Sequence, residues 1–98
     1  MFVHTVYFWL RRDLSAAELQ RFSQSLDSLK SIPATGGTYT GRPASTARPV
    51  IDRTYDFALT CLFKDQAEHD AYQVHPTHLA FVEGCRELWM RVLVYDAE

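Results

Sequence analysis

Four histidines, His4, His69, His75 and His78, and one tyrosine, Tyr72, are the residues whose types and spacing could do chemistry in this chain. An imidazole serves as acid, base or ligand near neutral pH. His78 heads the row His78, Phe81, Val82, Cys85, Trp89, at spacings of three, four, seven and eleven. That row is one apolar helical stripe, so His78 is predicted to point inward. His4 alternates with Phe2, Val6 and Phe8 and so belongs to one face of a strand. If helices cover that face, His4 and His78 share a pocket. His69 stands between Glu68 and Asp70 in a polar stretch, which predicts solvent exposure. Tyr72 and His75 are three apart, as surface neighbours on a helix are. Their direction stays open, because Ala67, Ala71 and Val74 define a stripe beside Tyr72. Pro76 frees His75 from helical geometry.

A lone histidine on an apolar face is more often a hydrogen-bonded core residue than a catalyst. Two inward histidines and a tyrosine near a helix break fit that description less well, since a buried unpaired polar group costs roughly 1–3 kcal/mol. On spacing alone Tyr72 and His75 read as structural. Phe22, Phe63, Phe81 and Trp89 read as core. There is no HExxH, and Pro76 spoils a shared helical face for the HxxH of His75 and His78, so no metal is expected. No Gly-rich phosphate loop follows a strand, and Gly36-Gly37 is a turn. No GxSxG occurs. Cys61 and Cys85 lack CxxC spacing and read as buried apolar residues. No flavin, nicotinamide, nucleotide or other cofactor is expected.

The elements that must position these side chains fit in one domain, residues 1–98. Residues 2–11 are β-branched and aromatic, without Gly or Pro, and read as a strand. Ser15 and Glu18 have capping-box spacing and open a helix, with Leu19, Phe22, Leu26 and Leu29 on its apolar face and Pro33 at its end. A short strand follows around Thr38–Arg42. The two prolines of residues 43–53 mark a loop, and 54–64 a second long strand. Asp65 with Glu68 repeats the capping signal for a helix to about Val74. Pro76 suits the first position of a new helix to about Trp89, and residues 90–96 form the last strand. The order is βαββαβ, an α+β ferredoxin-like fold: a four-stranded antiparallel sheet with helices on one face.

The net charge is -2, and no basic stripe suggests nucleic acid. The apolar run Val6–Leu10 is too short to span a bilayer, and no signal-peptide pattern opens the chain. The cytoplasm is the expected location. Both faces of the long strands are apolar. Phe2, His4, Val6, Phe8 and Leu10 oppose Val3, Thr5, Tyr7 and Trp9 on the first. On the third, Ala58 and Leu62 oppose Tyr55, Phe57, Leu59, Cys61 and Phe63. Helices cover only one face, and a wet second face should be polar. A homodimer formed through the open sheet face is the simplest consequence.

His4-Thr5-Val6-Tyr7-Phe8-Trp9-Leu10, together with Tyr72-Gln73-Val74-His75-Pro76-Thr77-His78 and Phe81, resembles the stress-responsive A/B barrel (Dabb) family over essentially the whole chain. The resemblance implies a ferredoxin-like protomer that dimerises into an α+β barrel. The family includes plant stress-induced proteins, many bacterial proteins and polyketide cyclases of the olivetolic acid cyclase type. By that likeness His78 would be a general base, Tyr72 would hold His78 or a thioester carbonyl, and His4 would orient the substrate, with no cofactor. His75, Phe81 and Trp89 would line the ligand site. The pocket tyrosine of the cyclases' first helix has no counterpart in Ser25-Leu26-Asp27. Cofactor-independent monooxygenases of related dimeric fold offer a further analogy. The expected role is binding of a small apolar or aromatic molecule, with cyclase- or lyase-type chemistry as the alternative.

Overall fold

A computed structural model describes the whole chain, Met1–Glu98. The elements are β1 (Phe2–Leu10), α1 (Ala16–Ser28), a 3-10 turn (Leu29–Ser31), β2 (Thr38–Gly41), β3 (Phe57–Phe63), α2 (Gln66–Gln73), α3 (Pro76–Cys85) and β4 (Trp89–Ala97). The sheet order is β2-β3-β1-β4 with every neighbouring pair antiparallel, which is the ferredoxin-like arrangement expected.

Local chemistry sets the helix starts. The Ser15 hydroxyl accepts from the Glu18 N–H and the Glu18 carboxylate accepts from the Ser15 N–H, a complete capping box. Asp65 caps α2 by accepting from the Glu68 N–H at 3.0 Å. Glu68 does not close a second box. Its carboxylate accepts from the Thr35 N–H and hydroxyl at 2.7 and 2.6 Å and so ties the turn before β2 to α2. In that turn Gly37 has φ +90°, and a Cβ on Gly36 would lie 2.5 Å from the Leu62 Cβ. Pro76 opens α3, with His75 as its N-cap.

Alternation along β1 puts Phe2, His4, Val6, Phe8 and Leu10 under the helices, beside Phe57, Leu59, Cys61 and Phe63 of β3. Phe22 and Leu26 of α1, Leu29, Tyr72, Phe81 and Cys85 close that core from above. Three expectations need correction. Leu19 is 40% exposed, because Phe22 and Leu26 alone give α1 its buried contact. Trp89 is not on a helix: α3 ends at Cys85, and Trp89 is half-buried at the start of β4, where it pairs with Leu10 and packs against the core. Tyr55 does not share the face of Phe57, because β3 begins only at Phe57. Its ring instead meets Tyr7 on the open face at 4.9 Å.

The open face carries Tyr7, Trp9 and Tyr55 with Leu93 and Tyr95 of β4, which line a groove of about 320 Å³ with Asp52. Arg91 lies over the Trp9 ring at 4.3 Å. The chain from Arg42 to Asp56 is held at one end by the Trp9 indole N–H donating to Thr54 and the Leu10 N–H donating to Asp56. No helix is long and apolar enough to cross a membrane.

Candidate functional site

On the helix side a cavity of about 150 Å³ is lined by twelve residues, nine of them hydrophobic. His4 enters from the sheet and His78 from α3. Phe8, Phe81, Trp89 and Val92 supply much of the apolar wall. Four of the residues proposed from sequence, His4, His78, Phe81 and Trp89, therefore meet in one pocket. Phe81 also borders a cleft between α1 and α3 that opens over Ser25 and Ser28.

His78 Nδ1 lies 3.0 Å from the Gln73 carbonyl oxygen. A carbonyl only accepts, so Nδ1 carries the proton and Nε2 keeps the lone pair. The cause is the break at His75-Pro76, which leaves that carbonyl outside the helical ladder. His4 Nδ1 lies 2.5 Å from Asp96 Oδ1. The carboxylate accepts, so His4 too presents Nε2 as its lone-pair nitrogen. Burial lowers the pKa of both imidazoles. The Asp96 pairing partly opposes this at His4, and the Gln73 carbonyl does so at His78. Both are neutral at pH 7, a state in which a ring nitrogen can take up a proton.

Tyr72 sits behind this wall. Its ring centroid is 4.9 Å from His78 and 6.0 Å from His4, and it does not border the cavity. Its hydroxyl lies beside the Cys61 thiol, too poorly placed for a well-formed hydrogen bond, and has no other protein partner. Burial pushes the phenol pKa well up, so it stays protonated. His75 is off the cavity too. Its Nδ1 accepts from the Thr77 N–H at 3.1 Å and caps α3.

The sequence reading missed two residues. His69 is not solvent-exposed. Its side chain is only 13% accessible, its ring stacks on Phe2 at 4.5 Å, and it lies 5.0 Å from His4. The signal was its i, i+3 relation to Tyr72, which places the two on one face of α2. Asp96 is the other. It pairs directly with His4 across β1 and β4, so the two side chains share a face. The antiparallel register alone would have found it.

A four-stranded antiparallel sheet, helices on one face and a histidine-walled pocket between them define a ferredoxin-like α+β domain. Residues 2–98 match the family described as Stress responsive A/B Barrel Domain, Dabb, and the chain belongs to that family. A Dabb-family protein from Mesorhizobium loti is 29% identical, with 99% of this chain and 94% of that one covered at a TM-score of 0.75. A dimeric ferredoxin-like protein of unknown function from Jannaschia is 28% identical, covering 99% and 97%, at a TM-score of 0.70. The hydroxynitrile lyase of Passiflora edulis has the same fold at 18% identity and a TM-score of 0.76, covering 98% and 90%. No curated protein matches the sequence.

Proposed function

We propose that this chain is a small-molecule-binding Dabb domain that works as a homodimer. Its helix-side pocket would take an apolar or aromatic compound of about one ring bearing a hydroxyl or carbonyl group. The observation that carries this reading is a cavity with nine hydrophobic lining residues and two neutral imidazoles in its wall. Its volume of about 150 Å³ is the size of engineered cavities that hold benzene. A hydroxyl on such a ligand can donate to a histidine Nε2, while the ring replaces contacts among Phe8, Phe81 and Trp89. Titration with 4-hydroxybenzaldehyde, followed by NMR of the backbone amides, should shift residues around His78 and Val92. His78→Ala should weaken binding about tenfold, the worth of one buried hydrogen bond. Shifts confined to the open sheet face, or equal affinity in the variant, would sink the reading.

A second reading, acid–base chemistry without a cofactor, is favoured by the tautomers. Both histidines keep Nε2 as the basic nitrogen, and His4 is backed by a carboxylate, as a catalytic base often is. That the Passiflora relative is a lyase makes a small cyanohydrin a fair substrate to offer beside a polyketide-like thioester. A base role for His78 requires that His78→Ala lower turnover about a hundredfold or more. No turnover in the wild type, with aldehyde binding intact, leaves the binder.

The homodimer is supported by the apolar open face and by a relative described as dimeric. Tyr95 is 61% exposed in the single chain. Sedimentation at micromolar concentration should give a dimer, and Leu93→Glu, which puts a charge into the groove, should give a monomer. A wild-type monomer would remove the proposal.

A further inference from the structure

We infer that His4, His69 and Asp96 form a site for one divalent transition-metal ion of the zinc or nickel class. This goes beyond the small-molecule reading and does not need an organic ligand. Three elements bring the donors together: the start of β1, the end of β4 and the inner face of α2. One ligand atom from each lies within 4.8 Å of the other two. Strand pairing fixes two of them, since His4 and Asp96 are direct cross-strand partners. Stacking on Phe2 fixes the third.

The donor types choose the ion. Two imidazoles and a carboxylate suit zinc, nickel, cobalt or iron, whereas magnesium and calcium need mainly oxygen ligands. Zinc holds such donors at about 2.0–2.1 Å, which puts them roughly 3.3 Å apart in a tetrahedral shell. The gap to His69 is the one that must close, by up to about 1.5 Å, because His4 and Asp96 already meet at 2.5 Å. Asp96, whose side chain is 39% exposed, can shift off His4 to meet the ion. An outer partner is in place as well. The Asp70 carboxylate lies 3.0 Å from His69 Nδ1 and accepts a hydrogen bond from its N–H. That leaves Nε2 as the donor, the arrangement that carboxylates enforce around metal-bound histidines. The Gln73 amide nitrogen, 3.2 Å from Nε2, is the group an arriving ion displaces. Three protein ligands leave at least one position open to water or an anion.

The test uses untagged protein stripped with a chelator and titrated calorimetrically with zinc, nickel and magnesium chlorides. Cobalt serves as a spectroscopic probe through its visible absorption. We expect one zinc per chain, a tetrahedral cobalt spectrum and no heat with magnesium. His69→Gln and Asp96→Asn should each weaken zinc binding at least tenfold, with circular dichroism unchanged. Both are chosen over His4→Ala because His4 is almost fully buried, whereas Asp96 is part-exposed and glutamine keeps most of the His69 volume against Phe2. His75→Ala should bind as the wild type does. The proposal is overturned if fewer than half the chains take up zinc or nickel. It is also overturned if both ligand variants bind like the wild type, or if only His75→Ala loses binding, which would place the ion on the His75–His78 segment. Any of these results leaves the aldehyde titration, and so the pocket reading, untouched.

Discussion

Tyr72→Phe is expected to make the protein more stable, by about 1 kcal/mol or more. The Tyr72 ring is 1% exposed, yet its hydroxyl has no hydrogen-bond partner in the protein. A buried polar group left unpaired costs about 1–3 kcal/mol of desolvation, and phenylalanine removes that group while keeping the ring. The ring contacts with Phe63 at 5.1 Å and His78 at 4.9 Å are retained. The Cys61 thiol loses only a weak neighbour. In a domain of this size 1 kcal/mol moves the midpoint of thermal unfolding by roughly 4–8 °C, so the gain is measurable by calorimetry. An unchanged or lower midpoint would mean that the hydroxyl is bonded, to Cys61 or to a buried water.

Phe22→Ala is expected to act in the opposite direction and harder, with a loss of about 3–5 kcal/mol. Phe22 has no exposed surface. Its ring lies 5.3 Å from Phe8, 5.3 Å from Phe57, 5.9 Å from Phe81 and 6.5 Å from Trp89, joining α1 to the sheet and to α3. Removal leaves a void that rigid aromatic neighbours fill poorly, so a cavity cost adds to the transfer cost. Domains of this length are held by about 5–15 kcal/mol in all, so the variant should sit near the edge of folding at 37 °C. Urea unfolding with an unchanged m-value and a midpoint lowered by more than 1 M is the expected result. A loss below 1 kcal/mol would show that the aromatic cluster closes over the gap.

Much of this architecture was legible in the residues. Ser15 with Glu18, His75 with Pro76 and the alternation of β1 each state a local rule that the fold obeys. His4 and His78 were legible for the same reason, since each sits within a regular apolar period. Legibility failed where the period was carried by small side chains. Ala67, Ala71 and Val74 form a helical row, yet all three face solvent, with Val74 69% exposed. The inner face of α2 belongs to His69 and Tyr72, whose rings are long enough to reach Phe2 and Phe63. Alanine leaves such a gap unfilled, so size outweighed hydrophobicity. Trp89 failed differently. Its spacing from Cys85 continues a helical row beyond the point where the helix stops, and a strand packs it against the core edge instead. Asp96 was hidden because its partner is 92 positions away, and only the strand register joins them.

Both faces of β1 are committed, His4 toward the pocket and Tyr7 with Trp9 toward the groove. Side chains in a strand alternate with a period of two. A single inserted or deleted residue in β1 would therefore exchange the two sets, sending the imidazole outward and the large rings into the core. Substitutions in this strand are negotiable one at a time, but its length is not. Lineages that diversify this fold must then vary in length elsewhere, and the stretch from Arg42 to Asp56, without helix or strand, is where additions cost least. Insertion scanning across the gene should return folded protein from that stretch and none from Phe2 to Leu10.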